Sequence, residues 1–465
     1  MKTAASLRIA VAVALAIAAA PLLAAPTRLN DRLIEQIRSL DTGLAGVSGA
    51  IVLPTGEDAT LQLEEFDVYA PGAIVEAIGE GGVAERLPRS EIRFFRGGLA
   101  GEVDSLAFLA VGAKGTHGFI MREDRKYRIR SVVTGKPRFR GGEPLEVFIE
   151  EVELTDEMSW EEPWMCEVDD FPVAAGLGGG DAIRSALMHV EPNALVSPNA
   201  TYVLNLVVEG DYELYQRQSS SSTNTVNYLA NLVAATSVIY KRDLQTELRI
   251  AYSGHHTAVG DPFTMDPATN GSHTVLDALV EFGDRWHNAA PFGGPRSAGM
   301  LVSGKDYGSG IAWVSRICQG DFAFATSNYP DGWGGAYGVF MDAGLATNFD
   351  PDANPDYQTD LDRFGFEYWP VLAFAHELGH TVQSQHTHCI ALTSQEKSDF
   401  SVTRNFVDEC YSGDVSQDPC YSNGTVGAVS ANVPTELGTV MSYCHLTFGI
   451  GSATRYTFGQ PDEPS

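Results

Sequence analysis

Residues 368–389, YWPVLAFAHELGHTVQSQHTHC, decide how the chain is read. His376 and His380 stand four apart, a spacing that puts both imidazoles on one face of a helix with Glu377 beside them. That is half of a zinc site. Upstream, Val371, Leu372, Phe374 and Ala375 give the helix apolar faces, and Pro370 suits a first turn, where a missing N–H would be unpaired anyway. A catalytic zinc takes three protein ligands and keeps one position for water, so a third ligand is needed beyond the helix. His386, six residues after His380, supplies it if the helix stops near Gly379 to Gln383 and the chain turns back; His388 is the fallback. An ordinary helix face carrying HExxH by chance is the competing reading. Three of the chain's eleven histidines within eleven residues, around one glutamate, favour the metal.

HELGHTVQSQH at 376–386 resembles the metzincin zinc-peptidase motif HExxHxxGxxH, and GTVMSYCH at 438–445 resembles the methionine turn that accompanies it. The resemblance, to reprolysin (adamalysin)-like members, implies an α/β (α+β) catalytic domain with a twisted, mostly parallel sheet and a zinc-binding active-site helix. It implies one catalytic zinc on His376, His380 and His386, Glu377 as the catalytic base, and Met441 beneath the metal. Tyr443 matches an auxiliary tyrosine that can ligate zinc or hydrogen-bond the transition state; a packing role is the alternative. Two departures stand out. Gln383 occupies the family's glycine position, costing on the order of 1 kcal/mol if a left-handed backbone is kept there. Thr387 replaces the aspartate typical of reprolysins.

The rest of the chain sets the context. With 465 residues, 44% of them hydrophobic and 10% aromatic, it can bury two or three real cores. Residues 1–25 carry Lys2 and Arg8, then an apolar, alanine-rich run shorter than a membrane span wants, and read as a secretory signal peptide. The expectation is a secreted, extracellular or periplasmic protein. A net charge of −29 argues against nucleic acid and anionic membranes as partners. Protein or peptide substrates and a monomeric state are expected.

Residues 26–190 read as a β-rich domain of short strands, such as 126–130 and 145–150, punctuated by Gly-Gly pairs at 81–82, 97–98 and 141–142. Within it, VYAPGAIVEAIG, FFRGGLAGEVDSLAFLAV and HGFIMREDRKYRI resemble the propeptide of reprolysin-type metzincins, with an FRG-like turn. That likeness implies a prodomain that assists folding and holds a zymogen inactive. Cys166, in EEPWMCEVDD, resembles the cysteine switch of such propeptides, whose thiolate occupies the open zinc position, although the usual following glycine is absent. A disulfide is the alternative.

The zinc metallopeptidase domain is expected over 191–465. A strand at 202–208, a helix at 226–240 and a strand at 248–252 suggest a βαβ unit; a second helix at 275–286 and a strand at 298–302 follow. Gly310, Ile311 and Ala312 then match the family's antiparallel edge strand, which borders the cleft and can pair with an extended substrate backbone. The acidic stretch 342–362 invites a calcium reading, but Pro355 and Leu361 fail the EF-hand pattern and a solvated loop is preferred. Cys389, Cys410, Cys420 and Cys444 should pair in an exported protein, proximity suggesting Cys410–Cys420 and leaving Cys389–Cys444. Cys318 then either bridges to Cys166 or is left odd. No helical run follows the methionine turn, so the family's closing helix is expected to be missing. The function expected is that of a secreted zinc endopeptidase made as a zymogen. A hydrolase of non-peptide amides or esters, or a silent adhesion protein on a protease scaffold, are the alternatives.

Overall fold

A computed structural model of the chain describes residues 25–39, 46–113, 115–122, 125–133, 145–151, 165–166, 201–265, 274–288, 291–305, 309–312, 337–341, 368–382, 384, 386–387, 392–399, 438–442 and 457–458. Residues 1–24 of the segment read as a signal peptide, the acidic stretch, Cys318 and the four cysteines from Cys389 onward lie outside these residues, as do His388, Gln383 and Tyr443.

The N-terminal half supplies β1 (Thr27–Arg28), α1 (Asp31–Ser39), β2 (Gly46–Val52), β3 (Asp58–Phe66), β4 (Tyr69–Ile78), β5 (Ala84–Arg86), β6 (Arg93–Leu99), β7 (Leu106–Gly112), β8 (Gly115–Met121), β9 (Lys126–Val133), β10 (Leu145–Glu151) and β11 (Met165–Cys166). Eight of these strands form one sheet, in the order β1-β10-β9-β8-β7-β6-β3-β2. Every pairing in it is antiparallel. Alternation along the strands gives the sheet two apolar faces. One buries Leu61, Leu63, Phe95, Leu109, Ile120 and Ile129 with Leu33, Ile34 and Ile37 of α1. The sequence reading of this half held only strands; α1 lies there because those apolar residues sit at helical spacing. The other face carries a ladder of rings, Phe66, Phe94, Phe108 and Phe119, with successive centroids 6.3, 6.2 and 5.6 Å apart.

Gly97 and Gly98, expected to mark a turn, lie inside β6. A Cβ at Gly97 would collide with the backbone of Gln62 on the neighbouring strand, and one at Gly98 with Ser105. The pair makes room for close backbone approach within the sheet rather than punctuating it.

The C-terminal half contributes β12 (Tyr202–Gly210), α2 (Tyr212–Arg217), α3 (Ser222–Leu244), β13 (Thr246–His256), α4 (Thr274–Asn288), β14 (Ala298–Ser303), β15 (Ser309–Ala312), β16 (Tyr337–Met341), α5 (Tyr368–Thr381) and α6 (Ser394–Asp399). Its sheet runs β11-β15-β16-β14-β12-β13-β4-β5, so strands of the N-terminal half stand at both ends. From β16 through β14, β12 and β13 to β4 the pairing is parallel; β15 lies antiparallel to β16, β5 antiparallel to β4, and β11 parallel to β15.

α3 is apolar on nearly every side because it is covered on every side. It packs between the two sheets and against α5, within one core that includes the phenylalanine ladder. Ser221 accepts a hydrogen bond from Asn224 N at its start, and Gln245, at φ 51°, closes it in a left-handed turn. β12 ends in two buried carboxylates. Burial alone would raise Glu209, but hydrogen bonds from His256 and Arg285 hold it below its ordinary range; Trp286 Nε1 donates to it at 3.0 Å. Asp211 caps α2 and accepts from Ser303 and Gly304, yet burial keeps its pKa raised. These carboxylates tie β12 to β13, β14 and α4.

Candidate metal centre

α5 ends at Thr381, within the stretch where the sequence required a turn. Val382 N and Ser384 N both donate to Gly379 O, at 3.1 and 2.9 Å, folding the chain back so that His386 faces the helix it has just left. The Nε2 atoms of His376, His380 and His386 form a triangle with edges of 3.0, 3.1 and 3.1 Å. Three imidazoles on one tetrahedral zinc, at Zn–N of about 2.0–2.1 Å, would span roughly 3.3 Å between nitrogens, so the set fits one small divalent ion. All three rings are buried, at 1% exposure each.

The second nitrogens explain why Nε2 is the one presented. His376 Nδ1 lies 2.6 Å from Val440 O and His380 Nδ1 lies 2.8 Å from Ser384 O. A carbonyl accepts only, so each Nδ1 carries the proton and each Nε2 keeps its lone pair for a metal. Neither acceptor has a local signal in the sequence. Ser384 is reached through the turn, and Val440 arrives from 64 residues downstream.

Met441 is buried beside α5. A Cβ on Gly379 would stand 2.6 Å from its sulfur and 3.1 Å from the ring of Phe458. The glycine between Leu378 and His380 is therefore where the methionine turn approaches the helix. Thr387 N donates to Met441 O at 3.0 Å and Val440 N to Thr457 O at 2.8 Å, so the turn also holds the strand leaving His386. Behind α5, Tyr240 of α3 donates its hydroxyl to Ala375 O at 3.0 Å; burial raises its pKa well above the ordinary value and keeps it a donor.

Glu377 is fully buried and faces β15. A Cβ at Gly310 would collide with its carboxylate, approaching Cγ and Cδ to 2.9 Å. Gly310 thus marks where the edge strand and the glutamate come together, with Ile311 and Ala312 buried next to it. The outer edge of β15 pairs with β11, Cys166 opposite Gly310 and Met165 opposite Ser309. Of the expected site residues, His376, Glu377, His380, His386, Gly310 and Met441 are brought together, and the backbone of Cys166 lies alongside.

Residues 200–414 match the profile of Reprolysin_5, metallo-peptidase family M12, a span that includes all three histidines and Glu377. No curated protein matches the chain. Among solved structures, metalloproteinase-II from Bacteroides fragilis aligns at 10% identity over 76% of this chain and 85% of its own, with a TM-score of 0.35.

Proposed function

We propose, taking as premise that residues 200–414 are a domain of metallo-peptidase family M12, that this protein is an exported zinc endopeptidase held latent by its own N-terminal half. The observation that carries the reading is the triangle of Nε2 atoms with Glu377 one residue along the same helix. His376, His380 and His386 would hold the ion. Zinc, when bound, supplies a Lewis acid that polarises a scissile carbonyl and lowers the pKa of water towards ~7. Glu377 takes the proton from the attacking water and passes it to the leaving amine, the general-base and general-acid halves of peptide hydrolysis. The backbone of Gly310 to Ala312 offers an extended substrate a strand to pair with, which suits cleavage of proteins or peptides with little demand on side chains.

Latency is supported by β11. It pairs with the edge of β15 that a substrate would need, its Cys166 in register with Gly310. The near-complete burial of Glu377 and the three histidines agrees with a closed cleft. Among the described residues no helix is long and apolar enough to cross a membrane.

Substituting Glu377→Ala tests the chemistry. Zinc content should stay at one per chain while hydrolysis of casein falls by at least about 10²-fold; activity retained in that variant would refute the mechanism. Cys166→Ser in the uncut chain should raise activity if the thiolate seals the site, whereas no change would point to a bridge with Cys318.

A further inference from the structure

The N-terminal half pairs with the sheet of the C-terminal half at both ends, and among the described residues the two pairings differ in size. At the cleft end the described residues of β11 are two, Met165 and Cys166. At the far end β4 pairs with β13, Ile250 opposite Tyr69 and then, after a break in register, Tyr252 to His256 opposite Ile74 to Ile78. Ile250 N donates to Val68 O at 2.7 Å and Thr257 N to Ile78 O at 2.9 Å. From Ile250 to His256 every residue of β13 is buried.

Without β4, that strand would present a long row of unpaired N–H and C=O groups, the kind of edge that proteins keep covered. The coverage is more than a ladder of backbone bonds. β6 and β7 pack on α3, and the phenylalanine ladder shares one core with Leu232, Val233 and Phe374 of α3 and α5. Polar contacts cross the same boundary: Ser90 Oγ to Asn227 Oδ1 at 2.7 Å, His117 Nε2 to Asn231 Oδ1 at 3.0 Å, and Arg96 to Glu247 at 3.4 Å.

We propose that β4 is a permanent strand of the C-terminal sheet, so that cutting the chain between β11 and β12 leaves a two-chain particle in which the N-terminal half remains bound as a subunit. Of the described residues of the N-terminal half, β11 then has to leave for the cleft to open. The part given to β11 rests on the zymogen reading above; the part given to β4 does not. A strand added to a sheet gains its hold from main-chain bonds along the edge, and the described pairing of β11 has fewer of them than that of β4.

The test uses the full chain with a specific protease recognition sequence inserted between Asp170 and Asp181. After complete cutting, the two fragments should co-elute on size exclusion at the volume of the uncut protein, and the amides of Ile250 and Thr257 should stay protected from hydrogen exchange. Separation of the fragments in native buffer, with the C-terminal one soluble and those two amides exchanging, would overturn the proposal. Neither readout depends on hydrolysis, so a protein without peptidase activity would still decide it, while loss of casein cleavage on its own would bear only on the catalytic reading.

Discussion

Glu377 and Gly310 belong to segments 67 positions apart, and nothing local to either announces the other. The spacing of His376, Glu377 and His380 was legible because a helix has a fixed period, and His386 because a third ligand must lie within reach of its end. What could not be read was which atom steadies each ring, since Val440 O is delivered by tertiary packing. Nor could the sequence say that a Cβ at Gly310 would meet the carboxylate of Glu377; an edge-strand role was the reason available. The contact has a measurable consequence. Gly310→Ala should push the carboxylate of Glu377 aside without touching a ligand, lowering kcat by about 10- to 100-fold, the scale of a displacement near 1 Å at a reacting centre. Zinc content, measured by elemental analysis, should not change.

α5 and the methionine turn meet at Gly379, and there two effects of similar size oppose each other. Helix propensity alone favours Gly379→Ala by about 1 kcal/mol. Against it, the new methyl would press on the sulfur of Met441 and the ring of Phe458 in a packed interior, a kind of overpacking that costs about 1–3 kcal/mol. Met441 is buried, so its side chain has little room to swing clear, and moving its backbone would disturb the bonds to Thr387 and His376. The variant should therefore melt at a lower temperature and release zinc to a weaker chelator than the parent does; a higher melting temperature would mean that the turn yields. At this scale α5 was read well from its apolar faces and histidine spacing, and β12, α3 and β13 from strand-helix-strand patterning. α1 was missed because it is short, and β6 was broken at Gly97 because glycine marks turns and close approaches alike. The β4–β13 pairing was out of reach, since Tyr69 and Ile250 carry no mark of each other.

Across the whole molecule, acid should loosen what the two halves share. His117 faces Asn231 of α3 from the N-terminal sheet, and burial pushes its pKa down to about 4. His255 of β13, 2.9 Å from Ser222, is pushed down to about 4 by burial and by His256. Both must be neutral in the folded state, whereas in the unfolded chain they protonate near 6.5. The unfolded state therefore binds more protons as pH falls below 6.5, and stability drops until about pH 4, where the folded protein takes them up as well. At pH 5 each histidine should have removed about 2 kcal/mol. The buried carboxylates act in opposite senses. Glu209, held below its ordinary range, withdraws stability as it protonates; Asp211, raised by burial, returns some. Urea unfolding at pH 7 and pH 5 should give a difference that shrinks by about 2 kcal/mol in His117→Gln, measured with zinc absent from both arms so that ligand protonation contributes equally. An unchanged difference would mean that His117 already binds its proton in the folded protein, and that its contact with Asn231 is insensitive to acid.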